Sequence, residues 1–157
     1  MPQEIERKFL VRDDSWRAAA DAGTRYRQGY LSTEPRRVVR VRLGGDRAFV
    51  TIKGITRGIA RDEYEYPIPV ADAETILDAL AIRPLIEKTR HHVHHAGHLW
   101  EVDVFAGENA GLVVAEVELP SEDTPVDLPP WVGAEVSHDP RYSNAALVEK
   151  PYSSWSR

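Results

Sequence analysis

The sequence predicts a mainly β domain of the α+β class, built on eight antiparallel strands in a sheet of the kind that can close into a barrel. Three observations lead there. Eight segments alternate apolar and polar residues with period two, Gly-bearing links join several of them as hairpins, and only three segments carry helical signals.

The first strand, Glu4 to Val11, sets Glu4, Glu6 and Lys8 on one face and Ile5, Phe9 and Val11 on the other. Asp14-Ser15 can cap a helix reaching Ala22. Strands follow at Tyr26 to Ser32, Val38 to Leu43 and Ala48 to Lys53, the last two joined by Gly44-Gly45-Asp46, and Gly54 to Gly58 leads into Arg61 to Ile68. Asp72 opens a helix through Ile82, because Ala73, Ile76, Leu77, Leu80 and Ala81 recur at helical spacing. Leu85 to His94 and Leu99 to Phe105 form a hairpin about Ala96-Gly97, and Leu112 to Leu119 is the eighth strand. Pro120 to Pro130 reads as an ordered surface connection, after which Ser143-Asn144 precedes a last helix, Ala145 to Lys150.

At 157 residues, 42% of them hydrophobic and 29% charged, the chain is expected to fold as one domain, 1–157, with a substantial core. It has no cysteine, which excludes disulfides, thiolate metal sites and cysteine nucleophiles and fits a reducing compartment. No basic stretch followed by an apolar run opens the chain, and no run approaches the roughly 20 apolar residues that span a bilayer. The expectation is a cytoplasmic protein without a membrane partner. A net charge of -5 argues against a general nucleic-acid binder.

The period-two faces collect fourteen charges on one side of the sheet. Eight acids, Glu4, Glu6, Glu63, Glu65, Glu101, Asp103, Glu116 and Glu118, meet six bases, Lys8, Arg40, Arg42, Lys53, Lys88 and Arg90. The opposite face is mostly apolar, with Arg7 and His91 as the main exceptions, and needs covering, which amphipathic helices can provide. Turned to solvent, such a face is a ladder of cross-strand ion pairs. Turned inward, it demands a wet channel, since marginal stability of roughly 5 to 15 kcal/mol cannot absorb fourteen desolvated charges. Alternation alone fits both.

Other motifs carry less. His91, His92, His94, His95 and His98 cluster at a hairpin where His92 and His94 share a face, but no third zinc ligand of fixed geometry is evident. There is no GxxxxGK[ST] loop and no GxGxxG. Tyr30 can either line a channel or pack in the core.

The ordered set Glu4-x-Glu6-x-Lys8, Arg40-x-Arg42, Lys53-Gly54, Glu63-x-Glu65, Lys88-x-Arg90, Asp103 and Glu116-x-Glu118 closely resembles the CYTH family, also called the triphosphate tunnel metalloenzymes. Asp139-Pro140-Arg141-Tyr142-Ser143-Asn144 resembles the family's entry to its C-terminal helix. The resemblance implies an eight-stranded tunnel with a charged interior, helices packed outside, and a triphosphate substrate bound with Mg²⁺ or Mn²⁺. The residue types agree with it: phosphoryl oxygens want Arg and Lys donors, and hard cations want carboxylates. Lys8, Arg40, Arg42, Lys53, Lys88, Arg90 and Arg141 are the expected substrate ligands, and Glu4, Glu6, Lys8, Glu63 and Glu65 the expected catalytic positions. Glu4, Glu6, Asp103, Glu116 and Glu118 are the expected metal ligands. Eight acids against six bases leave the empty face at -2, so a polyanion needs metal to enter with it. The implied activity is hydrolysis of inorganic triphosphate to pyrophosphate and phosphate. A class IV-type adenylyl cyclase, a thiamine triphosphatase and a non-catalytic polyphosphate-binding module are the alternatives. A homodimer is left open.

Overall fold

The computed structural model describes residues 2–156. In chain order its elements are β1 (Gln3–Val11), β2 (Thr24–Ser32), β3 (Val38–Gly44), β4 (Arg47–Lys53), β5 (Ala60–Ile68), α1 (Val70–Ala79), β6 (Ile82–His95), β7 (His98–Phe105), β8 (Val113–Glu118), β9 (Val132–Glu135) and α2 (Asn144–Glu149). Antiparallel pairing runs β5-β4-β3-β2-β6-β7-β8-β1-β9, and β1 also pairs with β5 through Gln3–Asp62, Glu4–Arg61 and Ile5–Ala60. That second pairing closes eight strands into a barrel and removes the free edges an open sheet would expose.

The ninth strand has no counterpart among the sequence expectations. It takes over the edge of β1 where β5 leaves it, with Phe9 opposite Glu135 and Val11 opposite Val132. Four residues are too few to display a period, and Gly133 interrupts them. The same glycine permits the close approach, since a Cβ there would stand 3.2 Å from the Leu10 carbonyl oxygen.

Three apolar clusters hold the barrel, two of them outside it. Phe9, Trp100, Val102, Ala115 and Val117 project outward from β1, β7 and β8 and are covered by Trp16 and Trp131, with the Phe9 and Trp100 rings 5.6 Å apart. Trp16 belongs to a 3-10 turn, Ser15–Ala19, where a longer helix to Ala22 is expected from the sequence. A single buried anchor can pin one turn but provides no stripe for three. On the other side α1 lays Ala73 and Leu77 over Val41 and Ala48. The helix starts two residues before Asp72 and ends at Ala79, so Leu80 is 65% exposed and Ile82 already belongs to β6. Polar residues on this outer face find partners: Arg7 reaches Glu135 of β9 at 2.8 Å, and His91 meets Trp16 in a tilted contact with ring centroids 5.1 Å apart.

The third cluster lies inside. Ile86 shares the inward face of β6 with Lys88 and Arg90, and it packs with Tyr30, Phe105, Leu112 and Val114 around Leu147 and Val148 of α2. α2, capped by Ser143 Oγ accepting from the Ala146 N–H at 3.1 Å, therefore fills one end of the barrel, whereas α1 lies outside as expected. Tyr30 is packed and lines the interior as well.

Candidate functional site

The inward faces enclose a cavity of about 1280 Å³ that runs the length of β3 and β4, from Gly44, Gly45 and Asp46 at one end to Thr33, Ile55 and Thr56 at the other. Thirteen of the fourteen charges line it; Asp103 is buried just behind. The charged face is thus the wall of a tunnel. Arg141 stays out: its guanidinium pairs with Asp139 at 2.7 Å, rests against the Trp155 ring and is mostly solvent-exposed.

Strand order sorts these charges. Lys53 on β4, Arg40 and Arg42 on β3, and Lys88 and Arg90 on β6 form a basic arc, with β2 contributing only neutral groups between them. Glu101 and Asp103 on β7, Glu116 and Glu118 on β8, Glu4 and Glu6 on β1, and Glu63 and Glu65 on β5 form an acidic arc that also holds two bases, Lys8 and Arg61, the latter turned onto the Gly54 carbonyl. Ion pairs concentrate at the two seams. At β4–β5, Lys53 reaches Glu4 at 3.0 Å and Glu63 at 3.4 Å, while Thr51 Oγ1 accepts from Arg40 and donates to Glu65, each at 3.0 Å. At β6–β7, Arg90 donates to both Asp103 oxygens at 2.8 and 2.9 Å, and Lys88 meets Asp103 at 2.7 Å.

The middles of the arcs are uncommitted. Among the described residues, Arg42 bonds only through Nε, to Gln28 Oε1 at 3.0 Å, lies over Tyr26 and has no carboxylate in ion-pair contact. Directly across the ring, β1 and β8 set Glu6 opposite Glu118, and neither side chain has a hydrogen bond or ion pair among the described residues. Like charges facing across a strand pair are destabilising. Burial, then Glu116 and Glu4, push the Glu6 carboxyl well above the usual carboxylate range, and burial, then Glu4 and Glu101, raise Glu118. Burial and Glu4 likewise raise Glu63, which shares a hydrogen bond with Glu4. In contrast, Lys8 and Arg90 overcome burial to hold Glu116 at about 2, and Arg90 and Lys88 hold Asp103 well below the usual range. Asp103 is therefore committed to two cations and orients them. Burial brings Lys88 down to about 7 and Arg42 to about 10, with neighbouring arginines adding to both.

These donors fit a hard divalent cation. Glu6 and Glu118 face each other with no base in ion-pair contact among the described residues, and Glu116 and Glu4 stand beside them. No three His, Asp or Glu side chains among the described residues converge as a ready-made metal cluster, the histidine hairpin included. That suits an ion held by one or two carboxylates together with substrate oxygens and water. His92 is engaged by Asp21 at 3.1 Å and lies 3.5 Å from Glu101. Two neutral groups escaped the charge-based reading: Gln28, fully buried, and Asn144, at the start of α2, bonded to one another at 2.8 Å. Their signal was available only in part, because Gln28 shares its face with Tyr26 and Tyr30 but carries no charge.

A closed antiparallel barrel whose interior separates bases from acids around a tunnel defines a class of polyanion-binding, metal-using proteins. The chain belongs to the CYTH family: the CYTH domain model matches residues 2–152. It is 49% identical over 152 residues to the inorganic triphosphatase of Acetivibrio thermocellus, covering 97% of each chain. It is 42% identical over 152 residues to the inorganic triphosphatase of Nitrosomonas europaea, covering 92% of this chain and 96% of that one. A crystal structure of an inorganic triphosphatase superposes with a TM-score of 0.66 at 39% identity, over 94% of this chain and 95% of that one. Family membership implies a divalent metal.

Proposed function

We propose that this chain is a divalent-metal-dependent inorganic triphosphatase, cleaving inorganic triphosphate to pyrophosphate and phosphate with Mg²⁺ or Mn²⁺, and that it acts in the cytoplasm. The observation that carries this is the pairing of vacant valences across the tunnel. Among the described residues, the terminal guanidinium nitrogens of Arg42 have no hydrogen-bond partner; Arg42 stands on the strand diametrically opposite Glu118, and Glu118 faces the equally unpartnered Glu6. A linear chain of phosphoryl groups satisfies the first and a divalent cation the second.

In this arrangement Arg42, Arg40, Lys53, Lys88, Arg90 and Lys8 donate to phosphoryl oxygens. Each charge-assisted hydrogen bond contributes about 1.5 to 3 kcal/mol. Glu6 and Glu118, supported by Glu116 and Glu4, hold the metal, which supplies charge neutralisation and Lewis acidity at the scissile phosphoryl group. Asp103 keeps Arg90 and Lys88 aimed. Glu63 holds a proton against Glu4 at the β4–β5 seam, within reach of Lys53, and Glu65 steadies Arg40 through Thr51. The test is a panel of inorganic triphosphate, ATP and thiamine triphosphate with each metal, separating released phosphate, pyrophosphate and cyclic nucleotide. Preferred turnover of inorganic triphosphate is expected; cyclic AMP as the main product from ATP overturns the assignment.

A further inference from the structure

Two amides, the buried Gln28 and the half-buried Asn144, join the cations of the basic arc to the helix that fills the barrel. Gln28 Oε1 accepts from Arg42 Nε at 3.0 Å, and Gln28 Nε2 donates to Asn144 Oδ1 at 2.8 Å. The same Asn144 oxygen accepts from Lys88 Nζ at 2.9 Å. Both ends of this chain are obligate donors. As an ammonium held by Asp103, Lys88 can only donate, so Asn144 must present its oxygen; Gln28 must then present its NH₂ to Asn144, which leaves its oxygen for Arg42, again a pure donor. The orientation of both amides follows from the cations they hold.

Neither amide carries charge. A carboxylate in either place would hold the cation equally well and neutralise it, as Asp103 does to Arg90. Among the described residues, Arg42 keeps two terminal nitrogens and Lys88, beside its bonds to Asn144 and Asp103, keeps one N–H without a protein acceptor, and both residues line the cavity. We propose that Gln28 and Asn144 are positioning residues for the anionic substrate: a neutral bridge that aims Arg42 and Lys88 into the tunnel, leaving Arg42 without a counter-charge and adding none to the one Asp103 gives Lys88, and makes anion binding depend on the seating of α2. This deepens the triphosphatase assignment and rests on it for the identity of the anion.

Asn144→Asp separates aiming from neutralising, because the carboxylate accepts from the same two donors and changes only the charge. It is also favourable at the start of a helix. Metal-free binding of inorganic triphosphate, followed by calorimetry, should weaken by about tenfold or more, the size of one lost charge-assisted contact, while the melting temperature stays level or rises. Asn144→Ala removes the acceptor and should weaken binding about as much, with a lowered melting temperature. Gln28→Met should do the same through Arg42. In turnover assays KM should rise while kcat changes less than about threefold, the signature of lost uniform binding. A purely structural amide predicts the reverse: Asn144→Asp binding like the wild type, and Asn144→Ala losing stability but not affinity. Either result overturns the proposal. A wild-type protein that binds triphosphate without cleaving it would overturn the activity and leave the binding comparison to decide the role of the amides. A wild-type protein that binds no triphosphate would overturn both.

Discussion

Glu6→Gln should make the metal-free protein more stable and the enzyme nearly inactive. Glu6 and Glu118 are register partners on β1 and β8, so their Cβ atoms stand roughly 5 Å apart. Carboxylates at that spacing repel by about 3 kcal/mol at an effective dielectric near 20. Glu118 is exposed, and screening cuts the figure to about 1 kcal/mol. Glu4 and Glu116 add repulsion, whereas Lys8 and Lys53 return some attraction. The net gain from removing the charge is about 1 kcal/mol, or about 2 to 4 °C in melting temperature for a chain of this size. The sign depends on pH. The folded-state pKa of Glu6 is raised, so the folded protein holds a proton there that the unfolded chain has released, and wild-type stability falls as pH rises from the ordinary glutamate value of 4.5 towards the raised one. The variant's advantage should therefore be absent near about pH 4 and present near about pH 9. Thermal scans at both pH values in EDTA, with turnover measured over a Mg²⁺ series, make the assay. Loss of at least about a hundredfold in turnover should accompany the gain in stability. A destabilised variant with normal turnover would refute the opposed-carboxylate account.

Arg42→Lys conserves charge but replaces a free fork by a point donor, so triphosphate binding should weaken by about 1 to 3 kcal/mol in calorimetry. Unchanged affinity would remove Arg42 from the substrate. Lys88 acts on stability in the opposite pH sense to Glu6: its folded-state pKa is depressed to about 7 from 10.5, so the unfolded chain binds the extra proton in that interval. Its contribution to stability should rise with pH across the window, and Lys88→Met should flatten the pH dependence of the melting temperature there. Replacing His92 and His94 together by Asn, while keeping His91 on Trp16, should leave metal-dependent turnover within about threefold; a hundredfold loss would revive a histidine metal site.

Which charges share a face could be read from the sequence because period two needs no tertiary information: Glu4, Glu6 and Lys8 must point one way on any strand. Which charges oppose one another could not. That Arg90 lies beside Asp103, Lys53 beside Glu63 and Glu6 beside Glu118 is a matter of register between strands, and alternation is blind to register. The segregation into arcs depends on ring order as well, so Asp103 looked like one more metal ligand and proves committed to Lys88 and Arg90. α2 misled for a related reason. An apolar stripe states that a helix is covered, not on which side of the sheet, and only Leu147 packed against inward-facing Ile86 shows that it enters the barrel. Arg141 lies close in sequence to that helix, yet the nearby Asp139 captures it outside.

The central claim is that the two arcs hold triphosphate and metal together for hydrolysis. Phosphorus NMR of wild-type protein with inorganic triphosphate, first in excess EDTA and then after Mg²⁺ is added in surplus to the same tube, tests it most directly. The account predicts unchanged triphosphate signals in EDTA, followed by conversion to equal amounts of pyrophosphate and phosphate once Mg²⁺ is free. Conversion at the same rate in EDTA, or none after Mg²⁺, would contradict it.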